Sequence, residues 1–198
     1  AGKSLEGRVE VKNKSGKLIF ARVMTEGIPV KGDQDKSQND LRMTIKYLDM
    51  DGEPINPDGI EQGTDFMAEI KLTNPGTKGD LDELALTQIF PSGWEIHNAR
   101  MTGESFSREI AIPEYQDVRD DRVLTYFDLG SPGNKYRYPW SYPSRKTDKS
   151  SKTFRILLNA SYLGRFYLPT VYCEAMYDKS ISARIPGQWV SVIIPAES

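Results

Sequence analysis

The sequence has few of the residues from which catalytic, redox and metal sites are usually built. Its 198 residues include one cysteine, Cys173, and one histidine, His97. One cysteine excludes a disulfide within the chain, and zinc needs three or four ligands, more than this pair supplies. Serine–histidine–aspartate sets, phosphate-binding glycine loops and metal signatures are also missing. We therefore expect no enzymatic activity, no cofactor and no metal in this chain.

A catalytic cysteine–histidine pair is the one nucleophilic arrangement that these residues leave open, since adjacency in space cannot be read from sequence. Cys173 lies in the middle of a β-rich segment among apolar residues. In such a position cysteine behaves as a small hydrophobic side chain. The pattern favours a structural Cys173 over a catalytic one.

Charge of one sign and long apolar runs are lacking as well. Lysine and arginine together number 26, aspartate and glutamate 28, and the net charge is -2. A nearly neutral chain has no overall field that attracts nucleic acid or anionic lipid. No apolar run approaches the roughly 20 residues that span a bilayer, and no signal peptide is visible. We expect no nucleic acid partner and no membrane insertion. Because the chain starts at Ala1 without methionine, we expect it to be processed or part of a longer protein.

Sustained helical periodicity is absent, and short strands with turn signals between them take its place. In the cleanest strand, Leu41, Met43, Ile45 and Tyr47 alternate with polar residues. Comparable strands recur about every 8 to 15 residues, separated by clusters of turn-forming residues. With 38% hydrophobic residues, this pattern predicts an all-β chain folded as an antiparallel β-sandwich.

The longest β-rich stretch runs from Gly164 to Asp178. Both of its faces carry apolar residues, which is typical of a strand that is covered on both sides. Pro169 has no amide hydrogen for a sheet hydrogen bond, so it predicts an edge or a bulge at that point. The run from Asp178 to Ser180 predicts the turn that ends the stretch.

The first 38 residues predict a unit of their own. Two short strands, 5–11 and 18–24, flank a turn at 13–17, and a polar linker over 31–39 follows. Two strands alone are marginally stable in water, so this β-hairpin must pack on another sheet. We divide the chain into residues 1–38, either the tail of a preceding module or accessory strands, and residues 39–198, the β-sandwich.

Two acidic clusters, 49–53 and 117–122, invite a metal-site interpretation because carboxylates bind calcium. The first lacks the spacing of an EF-hand, and its Asp51-Gly52 pair is a strong hairpin signal. In the second, Arg119 and Arg122 alternate with aspartates, which is typical of an exposed, salt-bridged turn. Both clusters are predicted to be turns.

The loop 134–146 interleaves cations with aromatic rings. The side chains that carry this pattern are Tyr136, Arg137, Tyr138, Trp140 and Tyr142. Such a composition can stack on bases, sugars or a partner peptide, so this is the candidate partner-binding loop. The alternative is a long loop folded back on its own domain. The other two tryptophans, Trp94 and Trp189, are predicted to lie in the core or at its rim.

Four segments, in this order along the chain, resemble the C-terminal macroglobulin-like domain of bacterial alpha-2-macroglobulin-like proteins. They are 41–54, with Tyr-x-Asp-x-Asp-Gly-x-Pro; 90–96, with Pro-x-Gly-Trp-Glu; 118–128, with Arg-Asp-Asp-Arg-Val; and 164–178, with Gly-x-Phe-x-Leu-Pro-x-Val and Glu-Ala-Met-Tyr-Asp. Each motif is short, but their order and spacing match over most of the chain. The resemblance implies a macroglobulin-like β-sandwich of the immunoglobulin type.

The resemblance also implies a structural role in a larger protein, an endopeptidase inhibitor of the periplasm or cell envelope. Such a protein would entrap proteases with a cleavable bait segment and usually a thioester. The thioester motif, Cys-x-Glu-Gln, belongs to an upstream helical domain, whereas Cys173 is followed here by Glu174, Ala175 and Met176. This chain would pack against the thioester domain, its partners would be the other domains of the parent chain, and it would meet target proteases only through the full-length protein.

The competing hypothesis is a secreted, free-standing β-sandwich that binds a glycan or a peptide with the Tyr136–Tyr142 loop. A domain of a larger protein is instead expected to keep an exposed apolar patch where its neighbours packed. The candidate interdomain contacts are Leu18 and Phe20 in the N-terminal hairpin and Tyr177 near the end of the 164–178 stretch. Burial of both Leu18 and Phe20 inside one closed sandwich would contradict this prediction.

Overall fold

A computed structural model of the chain describes residues 10–20, 35–97, 111–132 and 150–195. Within these ranges the chain forms thirteen β-strands and no α-helix, and it contains no helix with the length and hydrophobicity to cross a membrane. The strands are β1 (Ser37–Asn39), β2 (Arg42–Leu48), β3 (Asp58–Glu61), β4 (Asp65–Thr73), β5 (Leu81–Ile89), β6 (Trp94–His97), β7 (Tyr115–Val118), β8 (Arg122–Leu129), β9 (Ser151–Ala160), β10 (Gly164–Leu168), β11 (Val171–Ala175), β12 (Ser182–Ile185) and β13 (Gln188–Ile193). The all-β prediction is confirmed.

The strands form three sheets. A six-stranded sheet has the order β1-β12-β11-β5-β8-β7, a four-stranded sheet the order β2-β4-β9-β6, and a three-stranded sheet the order β10-β13-β3. Neighbouring strands are antiparallel except β13 and β3, which are parallel. The four-stranded sheet packs against both of the others, because it contributes residues to both core clusters. The predicted antiparallel β-sandwich is confirmed.

Two core clusters hold the sheets together. The first includes Met43 of the four-stranded sheet and Phe127 of the six-stranded sheet. The second includes Trp94 of the four-stranded sheet and Val190 of the three-stranded sheet. β4 contributes to both clusters, through its completely buried Phe66, Ala68, Ile70 and Leu72. Complete burial of one large apolar side chain contributes about 1.5–3 kcal/mol, so β4 is central to the stability of the sandwich.

The chain from 164 to 193 is one long hairpin that bends from one sheet into another. β10 and β13 pair in the three-stranded sheet, and their continuations β11 and β12 pair in the six-stranded sheet. The bend falls at Pro169 in one arm and opposite it, at Pro186, in the other. Since proline cannot donate to a sheet ladder, the two residues end one pairing and allow the next to begin. The interruption predicted at Pro169 is present.

The apolar residues on both faces of 164–178 have a different cause from the predicted one. Phe166 and Leu168 of β10 face the second core cluster, whereas Val171 and Cys173 of β11 face the first. The inward positions therefore change from even to odd numbers across the bend. The outward Tyr167 is exposed. The prediction of a strand covered on both sides is wrong, since the change of sheet reverses the alternation.

Residues 10–20 are the described part of the predicted N-terminal hairpin. Asn13 forms the predicted turn: its Oδ1 accepts a hydrogen bond from the Ser15 amide at 3.0 Å, and its Nδ2 donates to the Lys17 carbonyl at 2.5 Å. These residues are all exposed and belong to no strand, in keeping with the small stability of two isolated strands in water. The rest of the hairpin lies outside the described residues. The division between 1–38 and 39–198 stays a prediction, and β1 begins at Ser37.

Candidate functional site

The predicted partner-binding loop, with Tyr136, Arg137, Tyr138, Trp140 and Tyr142, lies outside the described residues. The chain before it is described as far as Pro132, and the chain after it begins at Ser150. The buried Ser150 accepts a hydrogen bond from the Asn74 amide at its carbonyl oxygen, at 2.8 Å. The hypothesis of glycan or peptide binding by this loop stays a prediction.

Tyr177 lies in the turn that joins β11 to β12, with 87% of its surface exposed. Asp178 holds this turn in place, because its Oδ1 accepts hydrogen bonds from the amide of Ser180 at 2.9 Å and from the hydroxyl of Ser180 at 2.6 Å. These bonds, with a smaller contribution from Lys78, hold the pKa of Asp178 below its usual value. The turn predicted at 178–180 is present, and it presents Tyr177 to the solvent.

Lys78 joins this turn to two other segments at the same end of the sandwich. Its Nζ lies 3.3 Å from Asp178 Oδ2 and 3.7 Å from Asp40 Oδ2, and it also donates to the hydroxyl of Ser180. Thr77 donates to Asp40 Oδ1 at 2.7 Å. Exposed ion pairs are individually weak, but three segments that share one lysine restrict each other's movement. Tyr177 is therefore presented on an ordered turn.

Leu18 and Phe20 are exposed over 83% and 92% of their surface. Neither side chain is buried inside the sandwich. Burial of both would have contradicted the prediction that they contact another domain. Together with Tyr177, they leave apolar surface available at two places in the described chain. Their contact with another domain remains a proposal.

Cys173 and His97 belong to different sheets and lie in different environments. Cys173 is completely buried in the first core cluster, and burial raises the pKa of its thiol, so the uncharged form dominates. His97 ends the edge strand β6 with its side chain partly exposed, and its Nδ1 lies 4.0 Å from Asp65 Oδ1. The structure gives no support to the cysteine–histidine pair. In the described ranges, no group of three or more histidine, cysteine, aspartate or glutamate side chains is arranged to hold a metal ion.

The two acidic clusters are surface turns. Asp49 Oδ1 accepts hydrogen bonds from the amides of Asp51 at 3.0 Å and Glu53 at 2.8 Å, which uses this oxygen to close the turn. In the second cluster Arg122 donates to both carboxylate oxygens of Asp121, at 2.8 and 2.7 Å. These hydrogen bonds hold the pKa of Asp121 below its usual value. Both arrangements agree with the predicted turns.

The two described tryptophans lie in opposite environments. Trp94 is 3% exposed, and its ring packs edge-on against Phe66 with 4.9 Å between ring centroids. Trp189 is 54% exposed on the outward side of β13. Trp94 is thus a core residue as predicted, whereas Trp189 stands on a surface that the sequence interpretation missed.

We call this surface the Trp189 face: it consists of the outward residues of β10 and β13, namely Arg165, Tyr167, Trp189, Ser191 and Ile193. Alternation within 188–193, where Val190 and Val192 are buried, was the signal that could have revealed it. The inward positions change parity at the bends at Pro169 and Pro186, so this alternation is regular within each strand but not across the whole of 164–193.

Comparison with known proteins gives sequence relatives of one kind. No family model matches the chain. An alpha-2-macroglobulin homolog of Yersinia pestis is 23% identical over 197 residues, which covers 89% of this chain and 9% of the relative. An alpha-2-macroglobulin of Pasteurella multocida is 23% identical over 171 residues, which covers 86% of this chain and 8% of the relative. The chain therefore spans only a small part of the length of these relatives.

Solved structures match the fold. The native conformation of Escherichia coli alpha-2-macroglobulin, determined by cryo-EM, matches with a TM-score of 0.65 at 15% identity, over 82% of this chain and 10% of that one. A crystal structure of the same protein from domain MG7 to the C-terminus matches with a TM-score of 0.63 at 15% identity, over 83% of this chain and 25% of that one. The chain is similar in sequence and in fold to bacterial alpha-2-macroglobulins. The match falls within the C-terminal part of that protein, as the four segments predicted.

The four segments that resemble alpha-2-macroglobulins meet in the second core cluster. They contribute, in chain order, Tyr47, Trp94, Val123 and Leu168, all of them buried. Trp94 packs edge-on against Tyr47 at 5.7 Å between ring centroids, as it does against Phe66. The residues that carry the resemblance are thus core residues. They reflect the alpha-2-macroglobulin fold rather than a chemical site.

Proposed function

We propose that this chain is the C-terminal structural domain of a bacterial alpha-2-macroglobulin-like endopeptidase inhibitor, in which it packs against the thioester domain. The observation that carries the proposal is the pair of matches, in sequence and in fold, that cover more than four fifths of this chain and at most a tenth of each full-length relative. A segment of that size is one domain of a protein with many others.

The residues that suit such packing are Leu18, Phe20 and Tyr177, whose surfaces are 83%, 92% and 87% exposed to solvent, respectively. Large apolar side chains that are exposed in an isolated domain mark an interaction site, where a neighbouring domain can bury them. The partners of this chain are then the other domains of the parent, and target proteases interact with it only through the full-length protein. The inhibitor would act in the periplasm or cell envelope.

The role of this domain in inhibition is structural and not covalent. The single thiol, Cys173, is buried and uncharged, and Glu174-Ala175-Met176 follows it in place of the thioester motif. A covalent bond to a protease, where the parent forms one, comes from another domain. Structures of the E. coli relative are described as activated by trypsin and by porcine elastase. This supports an endopeptidase as the target of the parent of this chain.

The test compares the full-length protein, the same protein without residues 1–198, and residues 1–198 alone. Each is mixed with trypsin, and cleavage of casein is measured beside cleavage of a small peptide substrate. We expect only the full-length protein to suppress casein cleavage, with less effect on the small peptide. Equal suppression by the truncated protein, or suppression by residues 1–198 alone, would refute the proposed role.

A further inference from the structure

We propose that the Trp189 face binds another domain of the same polypeptide, and that the bound surface is apolar and carries a carboxylate. The inference rests on the proposed function, which makes this chain one domain of a larger protein. It adds a docking surface on the three-stranded sheet to the contacts proposed for Leu18, Phe20 and Tyr177.

The Trp189 face exposes apolar area on two adjacent strands. Trp189 is 54% exposed, Ile193 45% and Tyr167 38%, whereas Val190 and Val192 between them are buried in the second core cluster. Single exposed apolar residues are common on protein surfaces, but a cluster of large ones on one sheet face marks an interaction site.

The side chains of this face are ordered before any partner arrives. Tyr167 and Trp189 are paired across β10 and β13, with ring centroids 5.6 Å apart at an angle of 71°. A Cβ added to Gly187 would lie 2.5 Å from Tyr167 Oη, so the tyrosine ring rests directly on the backbone there. The guanidinium of Arg165 lies 5.1 Å from the centroid of the Trp189 ring. Ordered aromatic and arginine side chains lose little conformational entropy on binding, which favours their use in protein interfaces.

The arrangement fits a protein surface better than a sugar. A sugar stacks flat on an open aromatic face, but Arg165 lies over the Trp189 ring, and the Tyr167 ring is inclined at 71° to it. Tryptophan, tyrosine and arginine are the residue types that most often dominate the binding energy of protein interfaces. Together they form a small anchor rather than a stacking platform.

The charge of Arg165 indicates what the partner carries. None of the ion pairs seen among the described residues involves Arg165, whose guanidinium packs on the Trp189 ring. An arginine that is desolvated without a partner is costly, and in a protein interface a carboxylate is its strongest partner, bound through two parallel hydrogen bonds. The proposed partner surface therefore presents an aspartate or glutamate beside apolar side chains.

The small size of the face favours a tethered partner over a second copy of the chain. Its two strands, with about five residues each, cover roughly 160 Å², at about 4.8 Å between strands and 3.3 Å per residue. A stable complex between separate proteins buries about 800 Å² on each partner. A neighbouring domain on the same polypeptide has an effective concentration of the order of millimolar, so a small anchor is sufficient.

The experiment uses the full-length protein with Trp189→p-benzoylphenylalanine, a photo-crosslinker. The control has the same crosslinker at Tyr115, which is 63% exposed on β7 of the six-stranded sheet. We expect position 189 to crosslink, within one polypeptide, to a peptide from outside residues 1–198, and with higher yield than position 115. With the crosslinker at Tyr167 instead, Arg165→Glu should lower the yield about tenfold, the effect of losing a hot-spot contact. The matched charge reversal Arg119→Glu should leave it unchanged.

A crosslink between two copies, equal yields from positions 189 and 115, or no crosslink at 189 would each overturn the proposal. Inhibition of trypsin is measured on the same samples before crosslinking. An inhibitor with no crosslink at 189 would leave the proposed function intact and remove this docking surface. A protein that crosslinks at 189 without inhibiting trypsin would keep the docking surface and remove the proposed function.

Discussion

The ring of Phe166 lies against Gly93 so closely that no side chain fits at position 93. A Cβ added to Gly93 would meet three atoms of the ring, the most distant of them, Cζ, at 2.9 Å. Gly93 ends the turn before β6, and Phe166 lies in the middle of β10. The contact thus joins two of the segments that resemble alpha-2-macroglobulins, and it gives a physical reason for glycine before the buried Trp94.

Gly93→Ala should destabilise the chain, because the added methyl must displace the ring of Phe166 or the backbone around it. Overpacking of this kind costs about 1–3 kcal/mol. Urea unfolding of the variant and the original chain measures the difference. In a Phe166→Ala background the same substitution should cost less than about half as much, since the ring is gone. An equal cost in both backgrounds would show that another contact, and not Phe166, requires glycine here.

Asn74 is a buried polar residue that ties the end of β4 to the end of β8. Its Nδ2 donates to the carbonyl of Gly79 at 2.7 Å and to that of Gly130 at 3.1 Å, and its Oδ1 accepts from the amide of Gly76 at 2.8 Å. Only 1% of its surface is exposed. Asn74→Ala should therefore destabilise the fold by roughly 2–4 kcal/mol, since several buried groups lose their partners together.

Asn56 is the matched control for this prediction. The Oδ1 of Asn56 accepts a similar local hydrogen bond from the Asp58 amide at 3.0 Å, but Asn56 is exposed. Asn56→Ala should cost less than about 1 kcal/mol, because water replaces the lost bond. Thermal or urea unfolding that gave equal losses for the two alanine variants would show that the Asn74 bonds are not what holds the two ends together.

Stability should fall at alkaline pH because of two buried acids. Burial raises the pKa of the Cys173 thiol, as it does for the Tyr47 hydroxyl. In the unfolded chain these groups lose their protons above about pH 8.5 and pH 10 respectively. Since the folded chain keeps its protons there, the stabilisation is complete below about pH 8.5. Above each of these two pH values, the free energy of unfolding falls by about 1.4 kcal/mol per pH unit for the group concerned.

The comparison is between the original chain and Cys173→Ala, unfolded by urea at several pH values from 7 to 10. The alanine variant is expected to be less stable throughout, but with a shallower slope above pH 8.5. The thiol of the original chain should react with a thiol reagent only after urea is added. Identical slopes, or rapid reaction in the folded state, would contradict burial of an uncharged thiol.

Residue pattern predicts much of this fold, and its failures have a common physical cause. Alternation correctly predicted β2, and the missing amide hydrogen of Pro169 correctly predicted an interruption. The pattern of one strand does not show that the chain changes sheet at that point. Because of this change, the inward residues have even numbers up to Leu168 and odd numbers from Val171. Trp189 was predicted to lie in the core or at its rim, because buried aromatic residues dominate sandwich cores, whereas 54% of its surface is exposed.

The candidate site was predictable only where it depends on local turn chemistry. Asp178 to Ser180 predicted the turn that presents Tyr177, because aspartate side chains cap turns through neighbouring amides. The contact of Lys78 with Asp178 and Asp40 joins residues far apart in sequence, so no local pattern signals it. The same holds for the bond from Asn74 to the carbonyl of Gly130, 56 residues further along the chain. Long-range polar contacts of this kind depend on the completed fold.

The central claim is that this chain packs against other domains of its parent, and hydroxyl-radical footprinting tests it most directly. Oxidation rates of Phe20 and Tyr177 are measured in the full-length protein and in residues 1–198 alone, with the buried Trp94 as the internal control for intact folding. We predict severalfold slower oxidation of Phe20 and Tyr177 in the full-length protein, with Trp94 equally protected in both. Equal rates for Phe20 and Tyr177 in the two samples would contradict the account.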